Sequence, residues 1–187
     1  KSYIEYAQAT KDKKNPVSYF IENGTLTLKE AGNTGASYYI NVDISFLQAA
    51  LSSKNIEDYT KESSKYENYV TLYLPKDKLV SSAKIYLGYG DFYVKNATFD
   101  TTNIKLDDGD FDANTLTANS GKLTFSYGDC DLQKASLGNI SLTSKDGDLT
   151  VNELTLSGKT KIALSYGDTE ITLNDSTKKV SGFDLAT

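Results

Sequence analysis

The chain contains no arginine, histidine, tryptophan or methionine, a single cysteine (Cys130) and two prolines in 187 residues. Each absence removes a class of chemistry. Without histidine there is no Ser-His-Asp triad, no Cys-His pair and no imidazole-ligated metal. Without arginine there is no planar fork to clamp a phosphate or carboxylate in two bonds. An acidic chain of net charge −5 whose only cations are lysines is a poor nucleic-acid binder. One cysteine excludes an internal disulfide and a cysteine-only zinc site. No apolar run approaches the ~20 residues that a membrane-spanning helix needs. The lack of any methionine leads us to expect a processed or trimmed chain that has lost an upstream segment. What remains is 39% hydrophobic and 24% charged, enough apolar residue for a packed core and too much for wholesale disorder.

The main signal is an internal repeat. Gly-Asp occurs five times, at Gly90-Asp91, Gly109-Asp110, Gly128-Asp129, Gly147-Asp148 and Gly167-Asp168, with spacings of 19, 19, 19 and 20. Positions counted from each repeat glycine form apolar columns. Five before it stand Ile85, Ile104, Leu123, Leu142 and Ile162; three before it, Leu87, Leu106, Phe125, Ser144 and Leu164. Two after it stand Phe92, Phe111, Cys130, Leu149 and Thr169; four after it, Val94, Ala113, Leu132, Val151 and Ile171. Seven and nine after it come Ala97, Leu116, Ala135 and Leu154, then Phe99, Ala118, Leu137 and Leu156. Each pair encloses one polar residue, which is the strand period. Parity slips between pairs, so the chain turns a corner there. One corner is the Gly-Asp itself, where glycine can take positive φ and aspartate can hydrogen-bond its own turn. The others fall near Asn114-Thr115 and Ser120-Gly121 and their equivalents. Three short strands and three corners in about 19 residues describe one coil of a β-solenoid. A hairpin sheet with Gly-Asp at every turn is the rival, but it does not account for three parity slips per repeat.

The predicted fold is therefore all-β: a single-stranded, β-helix-like solenoid of three-strand coils with an N-terminal β-rich capping region. Residues 1–80 lack the repeat and supply the cap, 81–173 form the solenoid, and 174–187 close the other end, where Phe183 and Leu185 fold over the last coil. Within the cap, Val17–Ile21 and Thr25–Leu28 flank an Asn23-Gly24 hairpin turn. Tyr38–Val42 and Tyr69–Leu74 read as strands. Asp43 or Ser45 caps a short helix through about Ser53, and Lys54–Asn68 reads as a polar loop.

The run Tyr69-Val-Thr-Leu-Tyr-Leu-Pro75, then Ala83-Lys-Ile-Tyr-Leu87, then the Gly-Asp coils, resembles a bacterial adhesin-type domain family of unknown biochemical function. The upstream strand Gly24–Leu28 also fits its pattern. The resemblance covers roughly residues 17–173. It implies an all-β solenoid, often exported or membrane-anchored, with a role in adhesion, and some relatives resemble components of cell-envelope stress systems. This chain departs from the family at 31–68, an expanded Tyr-rich insertion, and before the repeat glycine, where the family often has Ser.

Here that preceding position alternates: Tyr89, Asp108, Tyr127, Asp146, Tyr166. Coils stack ~4.8 Å apart, so tyrosines recur every ~9.6 Å along one edge. Spaced aromatics can stack on sugar rings while the intervening aspartates accept hydroxyl hydrogen bonds; equally, each tyrosine can shield the bare backbone of its glycine. The aspartates after the glycines, Asp91, Asp110, Asp129, Asp148 and Asp168, form a ladder. Calcium takes about six to eight oxygens, and no known calcium loop matches Asp108–Asp112, so turn-capping carboxylates are expected and neither a metal nor a cofactor is. Asp110/Asp112 and Asp129/Asp131 are carboxylate pairs, but a glycosidase needs two carboxyls across one cleft, and a regular ladder is repetition. Cys130 lies in an apolar column and is expected to be core. These residues point to a non-enzymatic surface or exported binding scaffold with a glycan or envelope-protein partner. A stress sensor that binds a protein is the alternative, and a polysaccharide-active enzyme comes third.

Overall fold

The computed structural model describes residues 3–7, 17–30, 38–43, 57–60, 69–74, 77–175 and 183–186. From Leu79 onward the described residues form a β-solenoid. Strands β7 (Leu79–Leu87), β8 (Phe92–Val94), β9 (Ala97–Leu106), β10 (Phe111–Phe125) and β11 (Cys130–Ser144) stack in parallel, followed by β12 (Leu149–Leu156), β13 (Thr160–Leu164), β14 (Thr169–Leu173) and β15 (Phe183–Ala186). The register runs column on column: Phe111 pairs with Cys130, Leu116 with Ala135 and Leu123 with Leu142. Parallel pairing throughout this stack excludes the hairpin sheet, in which neighbours would be antiparallel.

The parity slips are visible inside the long strands. In β10 the buried residues are Phe111 and Ala113, then Leu116 and Ala118, then Leu123 and Phe125, so pairing continues while the chain bends. These columns make one core, and Ile104, Leu106, Leu116, Leu123, Leu132, Leu137, Leu142 and Leu154 have no exposed surface. Phe111 stacks on Phe92 and on Phe125, with ring centroids 5.5 and 5.1 Å away. Cys130 is fully buried in the same column, where it packs as a core residue, and burial pushes its thiol well above the ordinary range.

The corner near residue 121 holds a further inward column absent from the sequence reading. Thr102, Ile140 and Thr160 are buried there, and the Thr160 hydroxyl donates to the Gly138 carbonyl. Ser144 also occupies a core column, between Phe125 and Leu164, and its buried hydroxyl has no partner among the described residues. An unmet buried hydroxyl opposes folding, so Ser144→Ala should stabilise the protein by about 1 kcal/mol. Urea unfolding checks this; a loss of stability would mean that the hydroxyl is satisfied.

Before the solenoid, β2 (Val17–Glu22) and β3 (Thr25–Glu30) form the expected hairpin, with Asn23 and Gly24 both at positive φ. β4 (Tyr38–Asp43) pairs antiparallel with β3 on one side and with β7 on the other. Leu26, Leu28 and Val42 thereby join the solenoid core, and the meander covers the edge of the first coil. A separate sheet is made by β1 (Tyr3–Ala7), β5 (Glu57–Thr60) and β6 (Tyr69–Tyr73). β5 lies within the segment expected to be a loop; its pairing with β1 joins residues 54 apart, such as Tyr3 and Glu57, which no local pattern reveals. The expected helix after Asp43 lies outside the described residues, among which there is no helix long and apolar enough to cross a membrane. At the C-terminal end β15 does not fold over as a lid. It adds a parallel strand beside β13, pairing Leu185 with Ile162, and Leu185 remains 45% exposed.

Candidate functional site

The Gly-Asp turns bring all ten candidate residues onto one edge. Strand-like pairing continues through the turns: the Gly90 amide donates to the Asp108 carbonyl, that of Gly109 to Tyr127 and that of Gly128 to Asp146, at 2.9–3.1 Å. The residue before each glycine is therefore stacked on its counterpart one coil away. Tyr89, Tyr127 and Tyr166 are 77%, 60% and 73% exposed, and Asp108 and Asp146 between them are exposed as well. These three rings present most of their surface to solvent.

The second column is a hydrogen-bonded ladder. Asp91 Oδ1 accepts from the Asp110 amide at 3.0 Å, Asp110 from Asp129 at 2.9 Å, Asp129 from Asp148 at 2.9 Å and Asp148 from Asp168 at 2.8 Å. Each of these four carboxylates thus caps the turn of the following coil and not its own turn, the detail that the sequence reading had differently. An anionic acceptor on an amide is a strong form of hydrogen bond, which gives the carboxylates a structural task. Among the described residues no group of three or more acidic or thiol side chains is gathered to hold a metal ion.

Beside the ladder, Tyr93, Asp112 and Asp131 follow one another on the outward side of the next strand. The Asp112 carboxyl is held above its ordinary value by partial desolvation and by Asp131, Asp110 and Asp91. A carboxyl whose folded pKa is raised favours folding while protonated and loses that advantage as pH rises from the unfolded value, ~3.9, through the folded one. Ionised Asp112 therefore opposes folding at neutral pH. Asp112→Asn should raise the melting temperature at pH 7, by no more than about 1 kcal/mol of stability because the charges are solvent-screened. The gain should vanish below pH ~3.9 and shrink in high salt. A lower melting temperature at pH 7 would show that the charge makes a favourable contact.

A polar group missed by the sequence reading adjoins the tyrosine column. Asp107 accepts from the Tyr86 hydroxyl at 2.9 Å and from Ser126 at 3.5 Å, and pairs with Lys105 at 2.7 Å. The Lys105 ammonium also lies 5.0 Å from the centre of the Tyr86 ring. The Lys105 bond holds the Asp107 carboxyl below the ordinary carboxylate range, whereas the bond to Asp107 raises the Tyr86 hydroxyl. Writing out the outward columns would have shown it, since Tyr86 and Lys105 are register partners one coil apart.

The edge is thus an exposed strip of alternating aromatic and acidic side chains on a stack of hydrogen-bonded coils. Such a strip can offer flat apolar faces and hydrogen-bond acceptors at a fixed interval. No curated protein and no solved structure matches the chain. A parallel stack of short coils closed by an antiparallel meander is nevertheless the setting in which one family model, that of Toastrack DUF4097, a family of unknown function, matches residues 2–183, and the chain belongs to that family.

Proposed function

We propose that this protein is a non-enzymatic, adhesin-like binding scaffold, exported or held at the cell surface, whose ligand is a surface glycan bound along the tyrosine column. The observation that carries the reading is the exposure of Tyr89, Tyr127 and Tyr166 at alternate coils of one edge. Tyrosine supplies a large, rigid contact area at low entropic cost, and three such rings in one row repeat that contact along the edge. A solenoid suits the task because its repeat holds identical groups at equal intervals on a surface that does not rearrange. The carboxylate pairs Asp110/Asp112 and Asp129/Asp131 stand on the same exposed edge, a placement that favours hydrogen bonding to a ligand over acid–base work in an enclosed cleft.

A glycan array probed with the protein and with a Tyr89→Ala, Tyr127→Ala, Tyr166→Ala variant tests this. We expect defined glycan signals that the variant loses by at least tenfold, with its melting temperature unchanged because the three rings are exposed. An empty array, together with a single envelope protein recovered by pull-down, would overturn the glycan reading in favour of a protein-binding sensor.

A further inference from the structure

We propose that the glycan is an extended, β-linked polysaccharide lying along the solenoid axis and that it carries free amines. The proposal rests on the preceding reading of the tyrosine column and names its ligand class. Two observations set it: the period of the aromatics and the sign of the charge around them.

The period comes first. Tyr89, Tyr127 and Tyr166 are separated by two coils each, or ~9.6 Å, and together they span ~19 Å. In an extended β-1,4-linked hexose or hexosamine chain, successive rings turn over, so every second ring presents the same face to the same side. The length of one disaccharide in such a chain is close to two coils. Aromatics at alternate coils thus meet every second sugar, and Asp108 and Asp146 lie opposite the sugars between them. An extended polypeptide returns to the same face every ~6.7 Å and falls out of step with the column.

The charge follows. From the residue before each glycine to the third after it, the five turns hold Asp91, Asp108, Asp110, Asp112, Asp129, Asp131, Asp146, Asp148, Asp168 and Glu170 and no lysine. Of the nearby lysines, Lys105 is already paired with Asp107, and the exposed Lys145 beside Asp146 leaves the strip strongly acidic on balance. A predominantly negative field repels an anionic polymer and concentrates a cationic one. A neutral sugar gains only stacking and hydroxyl bonds here. A free amine adds charge pairing with the carboxylates, and its ammonium is attracted to the face of an adjacent tyrosine.

Calorimetric titration with a glucosamine hexamer, an N-acetylglucosamine hexamer, an oligogalacturonate and a lysine-rich peptide of matched charge decides it. At low salt the glucosamine hexamer should bind at least tenfold more tightly than its acetylated form, and the oligogalacturonate should not bind. Asp108→Asn with Asp146→Asn should narrow that gap by weakening the glucosamine hexamer more than the acetylated one, whereas the triple tyrosine variant should remove both. Equal affinity for the two hexamers would overturn the amine requirement and leave glycan binding standing. Failure of every sugar would overturn both readings. A lysine peptide that binds as tightly as the glucosamine hexamer, and is indifferent to the tyrosine variant, would reduce the edge to a non-specific cation binder and overturn the proposal.

Discussion

Replacing Gly128 by alanine should cost about 3 kcal/mol or more, a large share of the stability of a domain of this size. Two effects combine at this site. The backbone is at φ +114°, where a side chain is strained by about 1–3 kcal/mol. A β-carbon there would also overlap the Gly109 carbonyl one coil away, its distance to the carbonyl carbon being only 2.7 Å. That carbonyl belongs to the neighbouring backbone, which cannot retreat without disturbing the ladder of hydrogen bonds through the turns. The two effects are separable within this protein. Gly90 has φ +106° but nothing within 4 Å of an added β-carbon, so Gly90→Ala should show the strain alone. Gly138 takes no strained φ, yet a β-carbon there would overlap the Asn119 carbonyl, so Gly138→Ala should show the clash alone. Denaturant unfolding should rank Gly128→Ala as more damaging than either. If Gly90→Ala were equally damaging, close coil stacking would not be what requires glycine in this row.

That stacking also explains which parts of the molecule can be read from sequence. A solenoid repeats its environment every coil, so a residue and its spatial neighbour are one repeat apart, and Phe111 over Cys130 or Leu123 over Leu142 follows from counting. The edge bearing Tyr89, Tyr127 and Tyr166 was legible for the same reason. The counting fails where the environment stops repeating. β5 meets β1 across a long stretch of chain, and β4 meets β7 antiparallel, contacts that depend on tertiary docking and not on local period. Ile140 was missed because the corner columns are not occupied by the same type of residue: Thr102, Gly121, Ile140 and Thr160 share one position in the cross-section but not one chemistry. The repeat puts the aspartates in one row, but the amides that donate to them belong to the following coil and not to their own turn. Sequence shows that an aspartate follows each glycine; only the ~4.8 Å approach of the coils makes the next coil's amide a nearer donor than its own.

The same repetition makes Leu132→Ala a demanding test of the core. Leu132 has no exposed surface and lies in the column of Val94, Ala113, Val151 and Ile171, paired with Ala113 on one side and Val151 on the other. Truncation removes three buried carbons and leaves a cavity. Ala113 is already small, and neighbouring coils are held at fixed spacing by their backbone bonds, so the wall has little freedom to collapse into the gap. The loss should fall at about 2–5 kcal/mol, toward the upper end where relaxation is poor. Leu173→Ala, at the end of β14 and 43% exposed, should cost under ~1 kcal/mol by comparison, because little transfer energy and no closed cavity are involved. Because each coil contacts only its neighbours, a defect in a central coil also weakens the coupling between the two halves of the stack. Urea unfolding of Leu132→Ala should therefore show a lower midpoint and a shallower slope than the parent, whereas Leu173→Ala keeps the slope. A loss of less than ~1 kcal/mol at Leu132 would mean that the inward and outward faces have been exchanged.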